Sequence, residues 1–227
     1  MIADNLKSVK RRISKAARQA GRNPDSIQLV AVSKQVSSEN IITAYKAGAK
    51  YFGENKIQEA TDKIDDVNLR DVGWHFIGHL QKNKIKYLDS KFDLIHSVDS
   101  LSLAEKISSY CESQDIIQLV LLQVNISGEE SKFGMLPSEL IAQLSVFAKL
   151  KGIRIKGLMT IPPKDPNPEN SRKYFSELRL LRDRCQSLNL NGIELNELSM
   201  GMTGDYEVAI EEGATIVRIG TAIFGFR

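Results

Sequence analysis

A (β/α)8 barrel, the TIM-barrel fold class, is what this sequence predicts, and three features carry that expectation. Short β-branched or aromatic runs stand at 27–34, 51–54, 74–78, 94–98, 119–126, 155–161, 194–200 and 216–224. Their starts lie 20 to 39 residues apart, which leaves room for one helix in each gap and little else. The runs are near-continuous apolar stretches such as Leu119-Val120-Leu121-Leu122, as expected of parallel strands covered on both faces. A doubly wound open sheet shares these features; a sandwich does not.

Composition frames that expectation. Of 227 residues 42% are hydrophobic and 26% charged, enough to bury a full core as a single domain over 1–227 and unlike a disordered, collagen-like or membrane chain. No stretch approaches the roughly 18 apolar residues of a membrane span. Met1-Ile2-Ala3-Asp4-Asn5-Leu6 lacks the apolar run of a secretion signal, so a cytoplasmic protein without a membrane partner is expected. Cys111 and Cys185 each stand without a neighbouring cysteine, which suggests buried reduced thiols rather than a disulfide framework or a zinc knuckle.

The first element is an amphipathic helix. Ile2, Leu6, Val9, Ile13, Ala16 and Ala20 recur every three or four residues and leave Lys7, Lys10, Arg11, Arg12, Lys15 and Arg18 on the other face. With a net charge of only +3, that basic face reads as solvated rather than as a nucleic-acid footprint. Only three residues follow the eighth run, so no helix is expected to succeed it, and the N-terminal helix is expected to complete the outer ring.

The first run ends in Val30-Ala31-Val32-Ser33-Lys34. Barrel active sites are assembled from the C-terminal ends of strands, so Lys34 is expected at the mouth. Partial desolvation there would disfavour its charged form and free the amine to condense with an aldehyde; a lysine snorkelling to water is the plainer reading. After the sixth run, Pro162, Pro163, Pro166 and Pro168 forbid regular structure, and this stretch reads as a rim or as a simple connector.

The seventh and eighth runs bring Ser199-Met200-Gly201-Met202-Thr203-Gly204 beside Val217-Arg218-Ile219-Gly220-Thr221-Ala222. Barrels commonly hold phosphate at these two loops. Gly201 and Gly220 admit close backbone approach, Ser199 and Thr221 offer hydroxyls, and a helix expected from Thr203 would aim its positive end at the same place. Arg218 shares a strand face with Gly220 and only donates hydrogen bonds, so a ring nitrogen facing it would remain an unprotonated acceptor; a salt bridge is the alternative. Glycines at strand ends are also ordinary turn residues. An aldehyde trap and a phosphate cradle together describe the two ends of pyridoxal 5′-phosphate.

Six blocks in order extend that agreement over nearly the whole chain: Val30-Ala31-Val32-Ser33-Lys34, Phe52-Gly53-Glu54-Asn55, Trp74-His75-Phe76-Ile77-Gly78-His79-Leu80-Gln81, Gly157-Leu158-Met159-Thr160-Ile161, Leu198-Ser199-Met200-Gly201-Met202 and Val217-Arg218-Ile219-Gly220-Thr221-Ala222-Ile223-Phe224-Gly225. The sequence resembles the pyridoxal phosphate homeostasis proteins, fold-type III relatives of the alanine racemase barrel domain. The resemblance implies that Lys34 carries the cofactor as a Schiff base and that Ser199, Gly201, Gly220 and Thr221 hold its phosphate. It further implies that Arg218 meets the pyridine nitrogen and that Asn55 lies beside the ring. Lys56 stands where the family often has Tyr, and Thr203 where Ser is usual; both bear on rim contacts only.

His75 and His79 are four apart without the intervening carboxylate of the zinc-protease helix motif, so no metal is expected. Lys132, after the fifth run, reads as a solvated loop lysine, with attraction of an anionic ligand as the alternative. The function expected is a carrier or buffer of pyridoxal phosphate, monomeric, with PLP-dependent apoenzymes as its possible recipients. A weak amino-acid racemase or transaminase is the alternative, set against it because this sequence ends after the eighth run, where the racemases continue into a domain supplying their second base. A Schiff-base aldolase is a poorer reading, since no carboxylate–lysine pair stands out at the run ends.

Overall fold

The computed structural model describes residues 1–88 and 91–226 and shows a closed eight-stranded parallel barrel in the order β1-β2-β3-β4-β5-β6-β7-β8. The strands are β1 Gln28–Val32, β2 Tyr51–Glu54, β3 Gly73–Phe76, β4 Leu94–Val98, β5 Gln118–Gln123, β6 Ile153–Met159, β7 Ile193–Ser199 and β8 Ile216–Ile219. Around them lie α1 Ile2–Gln19, α2 Ser38–Lys46, α3 Ile57–Val67, α4 Leu101–Ser113, α5 Pro137–Phe147, α6 Arg172–Gln186, α7 Tyr206–Glu211 and α8 Thr221–Phe224. Closure comes from β1 pairing with β8, with Val30 opposite Arg218 and Ala31 opposite Ile219.

Two expectations need correction. Between β3 and β4 the described helical layer is a six-residue 3-10 segment, Lys82–Tyr87, rather than an α-helix. The eighth run does not continue as strand to 224. It ends at Ile219, and the amide nitrogens of Ile223 and Phe224 donate to the Gly220 carbonyl, which makes α8 a single helical turn succeeding β8 where no helix was expected. Ala222-Ile223-Phe224 is apolar because Ile223 is buried beside the N-terminal helix, not because it continues a strand. A run of three apolar residues satisfies both patterns, so its period does not discriminate.

The N-terminal helix completes the outer ring. Leu6, Val9, Ile13, Ala16 and Ala17 of α1 are buried in the main core, and the helix packs against α2, α7 and α8. Its basic face is exposed but also serves as a tether. Arg12 pairs with Glu207 at 2.6 Å and lies over the Tyr206 ring, and Lys10 Nζ donates to the Gly48 carbonyl at 2.7 Å. Cys111 and Cys185 are free and buried, and burial pushes the Cys111 thiol up to about 11.

The barrel interior has an apolar layer of Val30, Leu94, Leu121, Met159 and Ile216. The same interior also carries the buried polar side chains of His75, His96, Ser199 and Arg218, an arrangement that needs a reason, because buried polar groups are costly unless paired.

Candidate functional site

Lys34 stands two residues past the end of β1 and is exposed, so the partial desolvation expected of it is not seen. What fixes its place is the peptide before it. The Ser33 amide donates to the Gly53 carbonyl at 2.9 Å, its hydroxyl donates to Glu54 Oε1 at 2.6 Å, and its carbonyl accepts from Lys63 Nζ at 3.0 Å. Lys63 also pairs with Glu54 at 2.8 Å, and Glu54 is buried. This carboxylate, ammonium and hydroxyl satisfy one another and hold the root of Lys34. Immediately beyond, Gln35 takes a left-handed φ of 57° and the Val36 amide returns to the Ser33 carbonyl, turning the chain away from the barrel end. Sequence reasoning assigned no role to Glu54 or Lys63. The signal was an acidic residue closing an otherwise apolar strand, which is seldom buried without a partner.

Arg218 on β8 is buried with its guanidinium at the level where β6 and β7 end. NH1 donates to Ser199 Oγ at 2.5 Å and NH2 to the Thr160 carbonyl at 3.0 Å. Among the described residues no carboxylate pairs with it, so the salt-bridge alternative does not apply. Burial pulls its pKa down to about 10, with Asp205 acting in the opposite direction. A buried cation held only by neutral oxygens has given up hydration worth several kcal/mol without a counter-ion.

The four residues expected to cradle a phosphate occupy two depths. Gly220 and Thr221 lie at the outer end of β8, half-buried and exposed respectively. Gly201 is buried with φ at +91°, and a Cβ there would lie 2.9 Å from the Tyr206 Cα and 2.6 Å from the Ala209 Cβ, so the glycine lets α7 approach. Ser199 is fully buried, and its hydroxyl meets Arg218 and, at 2.8 Å, His96 Nδ1. The helix expected from Thr203 begins instead at Tyr206, after a turn in which Asp205 accepts from the Met202 amide at 2.7 Å. Asp205 is favoured there because its short carboxylate satisfies a backbone donor that no helical hydrogen bond reaches at the start of α7. Thr203 Oγ1 instead accepts from the Ala222 amide at 3.4 Å, tying the two loops together.

Asn55 follows β2 and is half-buried, with the end of β3 passing close to its backbone. A Cβ at Gly78 would sit 2.0 Å from the Asn55 carbonyl oxygen. Gly78→Ala is therefore expected to lower the unfolding free energy by about 1–3 kcal/mol in a urea titration, since backbone must move to admit it. Gly204→Ala, where a side chain meets nothing within 4 Å, should change it by less than about 0.5 kcal/mol. Equal effects of the two would overturn this account.

His75 and His79 do not come together. His75 lies in the barrel with its Nδ1 2.9 Å from His96 Nε2, whereas His79 is at the rim, 3.1 Å from Asp99 and stacked on Phe133 with ring centroids 4.0 Å apart. Lys132 is half-buried rather than freely solvated. It donates to the Ile161 carbonyl at 3.3 Å beside Glu129, and burial lowers its pKa. That contact joins the β5 loop to the start of the proline stretch, which then closes on itself through Asn170 and Asp165 and enters a 3-10 turn at Pro168–Ser171. His96, which follows from no sequence motif, was missed along with Glu54 and Lys63.

Residues 5–227 match the profile of the family described as alanine racemase, N-terminal domain. The chain is 46% identical over 224 residues to a pyridoxal phosphate homeostasis protein of Aquifex aeolicus, covering 99% of this chain and 97% of that one. It is 40% identical to the protein of the same name from Escherichia coli K12, covering 100% and 97%. Among solved structures, PipY of Synechococcus elongatus PCC7942 with PLP bound superposes with a TM-score of 0.87 at 36% identity, covering 99% of this chain and 100% of that one. An alanine racemase of Clostridium difficile shares the fold at a TM-score of 0.73 and 16% identity, this chain covering 57% of it.

Proposed function

The chain belongs to the family of the pyridoxal phosphate homeostasis proteins, and on that premise we propose that it binds pyridoxal 5′-phosphate and serves intracellular homeostasis of that cofactor as a carrier or buffer. The observation that carries this reading is Arg218, a donor-only cation buried among neutral oxygens at the strand ends. Such a group asks for an acceptor, and an aromatic nitrogen supplies one without cancelling its charge. The cofactor, when bound, supplies an aldehyde that condenses with the Lys34 amine with loss of one water. Lys34 and Arg218 come from adjacent strands, Val30 of β1 being the register partner of Arg218. Gly220 and Thr221 hold the phosphate from the outer end of β8, Gly201 and Ser199 support it from beneath, and Asn55 lies beside the ring.

Arg218 also bears on what the protein does with its ligand. A ring nitrogen facing a guanidinium stays unprotonated, draws electrons less strongly and supports fewer carbanion reactions. This favours holding over turnover, and the relatives' name, which speaks of homeostasis, agrees with it. The reading includes a monomeric protein of the cytoplasm that passes cofactor to PLP-dependent apoenzymes.

Adding pyridoxal phosphate to the purified protein should produce an absorption band at about 420 nm. Subsequent addition of D- or L-alanine should yield none of the opposite enantiomer. A coloured protein that interconverts the enantiomers would make it a racemase, and a protein that stays colourless would overturn the cofactor assignment.

A further inference from the structure

Arg218 is the end of a longer series of polar groups that crosses the barrel interior. Its NH1 donates to Ser199 Oγ; Ser199 Oγ lies 2.8 Å from His96 Nδ1; His96 Nε2 lies 2.9 Å from His75 Nδ1; and His75 Nε2 lies 3.3 Å from Gln28 Nε2 at the start of β1. Ser199 and His96 are fully buried, and His75 nearly so.

The direction of the series follows from its members. A guanidinium only donates, so Ser199 Oγ accepts from Arg218. The Ser199 hydroxyl hydrogen then needs an acceptor, and the one within reach among the described residues is His96 Nδ1. A fully buried hydroxyl left unpaired is costly, whereas the half-buried Gln28 amide can turn to present either end at little cost. His96 therefore carries its proton on Nε2 and donates to His75 Nδ1, and His75 carries its proton on Nε2, which requires the Gln28 amide to be turned so that its oxygen, not the Nε2 that stands there, accepts it.

We propose that His96, backed by His75, is a positioning residue for Arg218: a one-way series of neutral donors aims the guanidinium at the ligand without neutralising it. A carboxylate in the place of Ser199 and His96 would hold the arginine as firmly but would share its charge. The neutral series leaves that charge for the ligand. Burial keeps both imidazoles uncharged, His75 being pushed down to about 3 and His96 well below its ordinary value, so neither adds a competing cation. This inference rests on the cofactor reading above.

Two measurements test it on the full chain. Nitrogen-15 NMR of the ligand-free protein should show His75 and His96 as neutral Nε2–H tautomers, and a proton on Nδ1 of His96 would overturn the proposal. Pyridoxal phosphate titration should show at least tenfold weaker binding and a displaced absorption maximum for His96→Leu. His96→Asn, whose amide oxygen takes the place of Nδ1, should return affinity to within threefold of wild type. A folded His96→Leu protein with wild-type affinity and spectrum, or a His96→Asn protein no better than it, would overturn the positioning role. Should His96→Leu fail to fold, the tautomers decide. If the wild-type protein takes up no pyridoxal phosphate, the proposed function fails while the tautomer result stands.

Discussion

Lys34→Ala is expected to abolish the band at about 420 nm and the adduct that borohydride reduction fixes, because no other amine has its place at the end of β1. The neighbouring Lys63 is committed to Glu54 and the Ser33 carbonyl, at 2.8 and 3.0 Å, and releasing it would strand a buried carboxylate. Arg218, Gly220 and Thr221 remain in the variant, so pyridoxal phosphate should still bind without a covalent link, weakened at least tenfold, or by about 1.4 kcal/mol. Because Lys34 is exposed, the fold should lose no more than about 0.5 kcal/mol. The decisive observation is mass spectrometry after reduction. An adduct of unchanged stoichiometry on the variant would move the linkage to another lysine and remove Lys34 from the site.

The second large effect is on stability in mild acid. The chain has three histidines, and two of them, His75 and His96, are buried without charge. An unfolded histidine takes up its proton near pH 6.5. In the folded barrel burial pushes the His75 pKa down to about 3, and that of His96 lies well below its ordinary value. A base whose folded pKa is depressed contributes stability that is complete above about pH 6.5 and is lost as pH falls towards the folded value. Each histidine should thus remove roughly 1.4 kcal/mol per pH unit below 6.5, and His75 alone roughly 5 kcal/mol by pH 3. A domain of ordinary stability, about 5–15 kcal/mol, would unfold within that range.

Urea titrations at pH 7.5, 6.0 and 5.0 measure this directly. The window from 6.5 to 5 lies above the ordinary carboxylate range, and Asp165, Glu169 and Glu194 titrate lower still because their hydrogen-bonded partners hold them down. A stability that stays level from pH 7.5 to 5.0 would mean that the buried pair is hydrated or already protonated. His96→Asn, which removes one titrating group, should halve the slope.

The barrel was legible because its strands announce themselves twice, as apolar runs and by regular separation. Their boundaries were less so. The expected first run, 27–34, overshot β1 because the chain turns off the strand after Ser33, with Gln35 at a left-handed φ of 57°, and the eighth overshot because Ile223 is apolar for the sake of α1. The positions of Lys34 just past the end of β1 and of Arg218 on β8 were legible from the order of the runs. The depth of Ser199 was not. A serine near a glycine suggests an anion cradle from either depth, and only the packing of α7 on Gly201 shows that the hydroxyl lies beneath the surface. His96 was illegible for a related reason. Leu94-Ile95-His96-Ser97-Val98 reads as a buried strand whichever polar group its histidine meets, and its partners stand 21 and 103 residues away.

The seating of α1 has a consequence for how the protein comes into being. Its apolar stripe is covered by α7 and α8, and the Asn5 side chain donates to the Ile223 carbonyl across a separation of 218 residues. At translation rates of about 5–20 residues per second, this helix is made roughly 10–40 s before α7 and α8. Through that interval Leu6, Val9 and Ile13 lack the cover of α7 and α8, and β1 lacks β8, one of its two neighbours. Barrel closure therefore waits until β8 has been made, and until then the growing polypeptide offers a chaperone the part of this hydrophobic stripe that α7 and α8 later cover.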